Sequence, residues 1–258
     1  ILLIGLGGVG ARLAEKAKKS LNSDCLLISH DQKDLTAENS IKISTKSVVN
    51  PSTHLIRGST LETSDEIKKN IANYSTVILM SNLAGKAGTG IGPIVSRICK
   101  QEQKNLLSFV IMPFKFEKER IFQSGISLKR IRQDSQCTIV VDNDALLDSN
   151  PDLTQNQCYD ISNKAIESMM HSLKSSEISG DTNILSTGKA ASDIEVSLKD
   201  SLRMLYEDAP PNSIKRSMLY VYGNGDIPVG VLNTISSITG GTFDEDSTHV
   251  EMSSEESK

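Results

Sequence analysis

The chain has 258 residues, enough for one large domain or two modest ones with a sizeable buried core. Its net charge of −4, without a basic excess, gives no support to a nucleic-acid binder. No apolar run approaches the roughly 20 residues that a membrane span needs, so we expect no direct membrane insertion. The four cysteines are widely separated and have no histidine at ligand spacing, which predicts reduced thiols in a cytoplasmic protein and no metal site.

Strand and helix patterns alternate through the first half of the chain. Such alternation predicts an α/β fold, a Rossmann-like parallel sheet with helices on both faces. The predicted strands cover 1–4, 25–28, 76–80, 107–112 and 138–141, and the predicted helices cover the segment up to about Leu21, then 66–72, 94–100 and 127–132. Because the chain opens directly inside a strand pattern, we expect residues before Ile1 in the natural protein.

The second half of the chain contains fewer strand signals. A long helical pattern runs from about Asn156 to Leu173, and a polar, loop-like stretch follows it. The remaining predicted elements are a helix at 191–206, a strand at 217–222 and a helix at 231–238. The last segment, 244–258, is acidic and serine-rich with little to bury, which predicts a disordered tail.

Two glycine-rich segments each follow a predicted strand and precede a predicted helix. The second, Ala84–Pro93, has the composition of a phosphate-binding loop, because glycine lets the backbone approach a ligand and helix N-terminal N–H groups attract anions. The first, Gly5-Leu-Gly-Gly-Val-Gly10, has the dinucleotide-binding spacing, with Asp31 about twenty residues further on. Ligands of parallel sheets bind at the carboxyl ends of strands, where both segments are expected.

The glycine segments allow two interpretations from the residues alone. The first segment with Asp31 favours an NAD- or FAD-dependent enzyme. The second segment is not part of that fingerprint, and a single nucleotide held by both segments explains the pair better. A Walker-type P-loop is disfavoured, because Gly85-Lys86 is followed by Ala87 and not by Ser or Thr.

The ordered set of motifs resembles the FtsZ/tubulin family of GTP-binding, filament-forming proteins. Ala84-Gly-Lys-Ala-Gly-Thr-Gly90 is similar, with substitutions, to the family's GGGTG-type loop, and the first glycine segment is similar to its first loop. Further matches follow in family order over about residues 1–173: Ser29-His-Asp31, Pro113-Phe-Lys-Phe-Glu117, Gly125-Ile126 and Asp142-Asn-Asp-Ala-Leu146.

The resemblance implies a domain order, ligands and partners. The domains would be a GTPase-like nucleotide-binding domain at 1–155, a central helix at 156–175, a reduced α+β domain at 176–243 and the acidic tail at 244–258. GTP or GDP would be the ligand, with magnesium as the counter-ion to the phosphates. The chain would assemble head to tail with itself into filaments of division or cytoskeletal type, and the tail would be a candidate surface for a protein partner.

The resemblance also assigns roles to individual residues. The ligand-binding set consists of the phosphate contacts Gly5, Gly7, Gly8, Gly10, Gly85, Lys86, Ala87, Gly88, Thr89 and Gly90, Asp31 in the second loop, Glu117 and Arg120 near the ribose and phosphates, and Asn143, Tyr159 and Asn163 around the guanine.

Several of these positions depart from the family pattern. Lys86 could contact a phosphate or point into solvent, and Ala87 lacks a hydroxyl that would help to hold the terminal phosphate. Lys164 stands where an aspartate would accept from the guanine N–H groups, which an ammonium cannot do. Asp181 is the single candidate for the acidic residues that orient the attacking water, so we expect weak or lost hydrolysis. The alternative is a non-hydrolysing nucleotide-binding scaffold.

Overall fold

The structure is a computed structural model, and it describes residues 1–46, 49–172, 182–188, 193–209, 217–224, 229–240 and 248–255. The chain divides into two compact units, the first Ile1–Asp144 with Glu177–Leu185 and the second Ala145–Ser176 with Ser186–Lys258. Within the described ranges, no helix is both long and apolar enough to cross a membrane.

The first unit contains a seven-stranded sheet in which every strand pairs in parallel with its neighbours. This sheet confirms the predicted α/β class. Its strand order is β3-β2-β1-β4-β5-β6-β7. The strands are β1 (Leu2–Leu6), β2 (Asp24–Ser29), β3 (Ser40–Lys42), β4 (Thr76–Asn82), β5 (Asn105–Met112), β6 (Cys137–Asp142) and β7 (Thr182–Ile184).

The central strands form because their sequences are almost continuously apolar. All five residues of β1 are buried, as are residues 77–81 of β4. Burial on both faces is typical of a parallel sheet that is covered by helices on each side. The helices that belong to this unit, or begin in it, are α1 (Gly7–Leu21), α2 (Thr53–Glu62), α3 (Ser64–Ile71), α4 (Lys86–Gln101), α5 (Lys118–Asp134) and α6 (Asn143–Ser149).

The glycine segments are more helical than predicted. Helix α1 begins at Gly7, and helix α4 begins at Lys86, so most of the expected loop Ala84–Pro93 is the first part of a helix. The prediction of a loop over Ala84–Pro93, with the helix beginning only at Ile94, was therefore wrong. Burial explains the difference, since residues 87–96 of α4 are buried and tertiary packing outweighs the low helix propensity of glycine.

The second unit contains three helices and a two-stranded sheet among its described residues: α7 (Gln155–Ser172), α8 (Ile194–Asp208), β8 (Ser217–Asn224), α9 (Val229–Gly240) and β9 (Thr248–Glu255). Strand β9 pairs in parallel with β8, so residues 248–255 of the predicted disordered tail are ordered as a strand. Val250 and Met252 alternate with polar residues there, which is the period of a half-buried strand and was overlooked.

Candidate functional site

The two glycine segments meet at the point where the strand order of the sheet reverses. From β1 the chain proceeds to β2 and β3 on one side, and it then returns to β4 on the other side of β1. Open α/β sheets bind ligands in the crevice at the carboxyl ends of the strands at such a point. Helix α1 leaves β1 at this crevice, and helix α4 follows β4 after the short turn Leu83–Gly85.

The N-termini of α1 and α4 lack the capping side chains and acidic residues that usually compensate the free N–H groups at the start of a helix. Neither helix has a hydrogen bond from a capping side chain, and neither carries an acidic residue in its first turn. In contrast, α2 is capped by Ser52, and α3 has Asp65 and Glu66 in its first turn. Two uncapped, positively polarised helix ends beside each other favour an anion such as phosphate.

Three glycines allow the helix starts to come close. Gly7 has a φ of +64°, which is in the left-handed region, and a Cβ there would lie 2.7 Å from the Cβ of Ala87. A Cβ on Gly10 would lie 2.4 Å from the Met80 carbonyl oxygen, and one on Gly88 would lie 2.1 Å from the Asn82 carbonyl oxygen. A side chain at Gly7 would separate the two helix starts, and one at Gly10 or Gly88 would collide with the backbone of β4.

Asn82 organises the turn between β4 and α4. Its Oδ1 accepts a hydrogen bond of 2.8 Å from the Ala84 N–H, and its carbonyl accepts one of 3.2 Å from the Gly85 N–H. Leu83 continues the strand pairing by donating to the Ile111 carbonyl at 2.8 Å. The turn is therefore fixed on both sides, and exposed Gly85 is left at its tip.

Lys86 takes neither of the two orientations considered from the sequence. Its ammonium donates to Asn50 Oδ1 at 2.6 Å and to the Pro51 carbonyl at 3.0 Å. Two of its three N–H donors are engaged in this way, and the side chain links the start of α4 to the segment before α2.

Thr89 and Ala87 are both buried in the first turns of α4, with exposures of 5% and 6%. The Thr89 hydroxyl donates to the Gly85 carbonyl at 3.0 Å, so it is engaged within its own helix. Ala87 packs in the hydrophobic core of the first unit and contributes no polar group. The backbone of this turn, more than its side chains, is therefore available to an anion.

Asp34 is the acidic side chain next to the first glycine segment, and Asp31, the predicted ligand-binding residue, precedes it in the same loop. Asp31 accepts from the Lys33 N–H at 3.0 Å and caps a short 3-10 turn at Gln32–Asp34. Asp34 accepts from the Ser29 hydroxyl at 2.6 Å, and its Oδ1 lies 2.8 Å from where a Cβ on Gly8 would be. A carboxylate therefore stands beside the first turn of α1.

His30 lies between these charges. Burial lowers its pKa below the usual 6.5, and Lys86 acts in the same direction, while the carboxylates of Asp34 and Asp31 act against it. Its Nδ1 is buried and has no hydrogen-bond partner in the described part of the chain. At neutral pH, His30 is therefore an uncharged imidazole.

Glu117 and Arg120 are engaged with each other at the start of α5. Arg120 Nη1 donates to Glu117 Oε1 at 2.6 Å, and Glu117 Oε2 accepts from the Phe114 N–H at 3.3 Å. Asn143 is fully buried at the end of β6, at the position where α6 begins. These three side chains belong to the first unit.

The predicted base contacts on α7 are not in the first unit. Tyr159 and Asn163 lie on α7 in the second unit, one helical turn apart, and the Tyr159 hydroxyl accepts from Gln155 Nε2 at 3.2 Å. Lys164, next to Asn163, is exposed. Asp181, the candidate catalytic residue, lies outside the described residues.

The described residues do not form a protein-only metal site. Among them, no group of three or more His, Cys, Asp or Glu side chains could hold a metal ion. The four cysteines, which all lie in the described ranges, are buried thiols, and burial raises the pKa of Cys25 to about 11 and that of Cys99 to about 12.

Sequence reasoning missed Asp34, Asn50, Asn82 and Arg57, which hold or flank the glycine segments. Asn82 was accessible in principle, because an asparagine at a strand end before a glycine turn commonly hydrogen-bonds the backbone two residues on. Asn50 and Arg57 lie 36 and 32 residues from the residues they contact, and no local pattern encodes such pairs.

A sequence model of the Tubulin/FtsZ family, GTPase domain, matches residues 52–151. Cell division protein FtsZ 2 of Halobacterium salinarum is 29% identical over 100 residues, which is 39% of this chain and 25% of that protein. FtsZ 1 of the same organism is 32% identical over 115 residues, which is 44% of this chain and 28% of that protein. The alignments thus span only about a quarter of the length of these relatives.

Solved structures share the fold over nearly the whole chain. A mutant FtsZ from M. jannaschii has a TM-score of 0.79 at 17% identity, with 99% of this chain and 86% of that chain covered. CetZ2 from Haloferax volcanii, solved as a GTPγS-bound protofilament, has a TM-score of 0.71 at 16% identity, with 99% and 89% covered. At sequence identities this low, the similarity to these structures establishes a shared fold only.

The region of sequence similarity includes the α4 side of the crevice, whereas β1 and the start of α1 lie outside it. Residues 52–151 contain α2, the turn after β4, and α4 with its glycines. The family resemblance inferred from the ordered motifs is confirmed by this match and by the shared fold. Residues 52–151 therefore match the Tubulin/FtsZ family, GTPase domain, and the rest of the described chain shares the fold of the solved FtsZ and CetZ structures.

Proposed function

We propose that the chain binds GDP and GTP, with the phosphates at the paired N-termini of α1 and α4. The observation that carries the proposal is the placement of two uncapped helix ends at the β1–β4 crevice. Their N–H groups supply hydrogen-bond donors, and their dipoles favour negative charge. Gly85 at the turn before α4 is exposed and leaves room for a phosphate to approach.

Lys86 adds a positive charge to this site. Its ammonium has one N–H donor beyond the two engaged by Asn50 and Pro51, and that donor can serve a phosphate oxygen. Such a contact would link the phosphate to the segment before α2 through a single side chain. Magnesium would be held by the phosphates, with Asp34 as the carboxylate beside the first glycine segment, and it would offset the repulsion between these anions.

The base-binding assignments come from the family resemblance. By that resemblance, Asn143 is a candidate base contact in the first unit, Tyr159 and Asn163 are candidates on α7, and Tyr159 could stack on a base. Because Lys164 cannot accept hydrogen bonds from guanine, we expect only modest discrimination between guanine and adenine nucleotides.

We further propose weak or absent hydrolysis and head-to-tail self-assembly. Ala87 offers no hydroxyl to the terminal phosphate, and Asp181 is the single candidate for a water-orienting carboxylate. The structural neighbour CetZ2 was solved as a protofilament, which supports assembly of this type. A role in cell division or a cytoskeleton, in the cytoplasm, follows by analogy with the named relatives.

The first test is calorimetric titration of nucleotide-stripped protein with GTP, GDP, ATP and NAD in the presence of magnesium. We expect micromolar or tighter binding of GDP and GTP. The matched variants are Gly85→Leu, which fills the tip of the turn, and Gly58→Leu, which adds the same side chain at an open position on α2. Gly85→Leu should abolish binding, and Gly58→Leu should leave it unchanged.

Two results would contradict the proposal. Binding of NAD alone would favour a dinucleotide-dependent enzyme, and binding of none of the four ligands would indicate an interaction protein on a degenerate GTPase fold. If GTP binds, phosphate release and sedimentation at high protein concentration then separate a slow GTPase from a non-hydrolysing scaffold.

A further inference from the structure

Helix α4 contains a proline that frees one carbonyl in its phosphate-side turn. Pro93 lies inside the helix, eight residues after its N-cap Gly85. In a regular α-helix, the N–H of residue 93 would donate to the carbonyl of Thr89, four residues earlier. Proline has no N–H, so this buried carbonyl needs a donor from elsewhere.

Two other helices supply the missing donors. Arg57 on α2 donates from Nη2 to the Thr89 carbonyl at 3.1 Å, and Ser127 on α5 donates from Oγ to the same oxygen, also at 3.1 Å. Ser127 is fully buried, and Arg57 is half-buried. Burial lowers the pKa of Arg57, with a smaller contribution from Arg130.

Glycines on α4 bring the two donor helices within reach. A Cβ on Gly90 would lie 2.9 Å from Ile56 Cγ2 on α2, and a Cβ on Gly92 would lie 3.1 Å from Ile131 Cδ1 on α5. Both helices therefore pack closely against α4 next to the donors. The Thr89 carbonyl is a single point at which three helices are joined by hydrogen bonds.

We propose that Arg57 and Ser127 are positioning residues for phosphate binding, and that they act by holding the Thr89 carbonyl that Pro93 leaves without a helical donor. This inference rests on the proposed nucleotide binding at α4. The carbonyl belongs to the turn whose N–H groups would face the phosphates, so its two donors fix the direction of those N–H groups. Displacement of α2 or α5 would be transmitted to the phosphate through the same oxygen.

The proline offers a direct test by compensation. Pro93→Ala restores a backbone N–H at position 93, which can donate to Thr89 within the helix and replace the donor lost in Arg57→Met. The measurements are affinities for GDP and for guanosine, together with amide hydrogen exchange of residues 86–90 in the nucleotide-free protein. Arg97→Met, which removes an exposed arginine from α4 itself, is the matched control.

We expect Arg57→Met to weaken GDP binding about tenfold, because it removes a charge-assisted hydrogen bond to a buried carbonyl. Guanosine, which lacks phosphate, should lose less than about twofold. Ser127→Ala should weaken GDP binding about threefold, because its bond is neutral. Arg57→Met with Pro93→Ala should return to within about twofold of the parent, and Arg97→Met should be unchanged.

The proposal is overturned if Pro93→Ala fails to rescue Arg57→Met, or if guanosine and GDP lose affinity equally. It is also overturned if Arg57→Met leaves GDP affinity unchanged, whether or not exchange at residues 86–90 changes. If the parent protein binds no GDP, the proposed function fails and this role fails with it. Exchange would then still show whether the hydrogen bonds to Thr89 exist and whether Pro93→Ala replaces them.

Discussion

The two glycine segments begin helices at the same crevice, but different interactions hold them in place. Both segments pack closely against the backbone of β4, since a Cβ on Gly10 would lie 2.4 Å from the Met80 carbonyl oxygen and one on Gly88 would lie 2.1 Å from that of Asn82. At the second segment, side chains from elsewhere also attach to the helix, since Asn50 accepts from Lys86 and Arg57 donates to Thr89. Backbone packing allows little adjustment, whereas side-chain hydrogen bonds can change partners. The second segment is therefore the one that can respond to a ligand.

Of the substitutions at Gly10, Gly58 and Gly90, the one at Gly10 should cause the largest loss of stability, because the added side chain meets backbone. Gly10→Ala places a Cβ 2.4 Å from the Met80 carbonyl oxygen, which neither β4 nor α1 can relieve by rotating a side chain. We expect it to destabilise the protein by about 3 kcal/mol. The measurement is urea denaturation followed by circular dichroism.

Gly58→Ala is the control for this substitution. Gly58 lies inside α2 with open space around its would-be Cβ, so alanine there should stabilise by about 0.5–1 kcal/mol through helix propensity. If Gly10→Ala and Gly58→Ala changed the free energy of unfolding by the same amount, the close approach at Gly10 would not constrain the fold.

We expect a smaller loss of stability at a glycine whose added Cβ would meet a side chain and not backbone. At Gly90, the nearest atoms to an added Cβ belong to Ile56, and a side chain can move. We expect Gly90→Ala to cost about 1 kcal/mol, and to cost less when it is measured in an Ile56→Ala background. If the cost in that background stays the same, the Thr53 carbonyl at 3.3 Å is the real obstacle.

Lys86 tests whether the second segment responds to a ligand. Lys86→Met keeps the aliphatic stem but removes the ammonium that donates to Asn50 and Pro51. We expect GTP affinity to fall about fivefold, equivalent to about 1 kcal/mol, with weaker dependence on salt. Titrations at two salt concentrations measure both changes. Unchanged affinity at low salt would mean that the ammonium serves only the segment before α2.

Much of the first unit was predictable because its strands are continuous apolar runs, such as Leu2–Leu6 and Thr76–Asn82. The placement of each glycine segment between a strand and a helix was also predicted correctly. Their helical conformation was not, because glycine has low helix propensity and neither helix start has a capping residue to mark it.

Other elements and contacts were not predicted, because their local sequence patterns are weak. Helix α2 is largely polar, has Gly58 in its interior and buries only Ile56 and Thr60, so its periodicity is faint. Strand β3 has three residues. Asp31 was identified by its spacing and caps the 3-10 turn, whereas Asp34, which no spacing rule indicates, lies beside the first glycine segment.

The smallest expected effect on stability is that of His30. It is also the most specific, because Asp34 beside the first segment and Lys86 in the second both influence the pKa of His30. Its pKa is lowered in the folded protein, mainly by burial, so the unfolded chain binds the proton more readily. Stability is therefore fully present above the unfolded pKa of about 6.5 and is lost as the pH falls through and below that value. His30→Gln should flatten this loss in urea denaturation at pH 7.5, 6.5 and 5.5, whereas His54→Gln, on the exposed face of α2, should not. A steeper loss of stability in His30→Gln would mean that the carboxylates of Asp34 and Asp31 raise the pKa of His30 by more than burial lowers it. Negative charge would then dominate the surroundings of His30 beside the first segment.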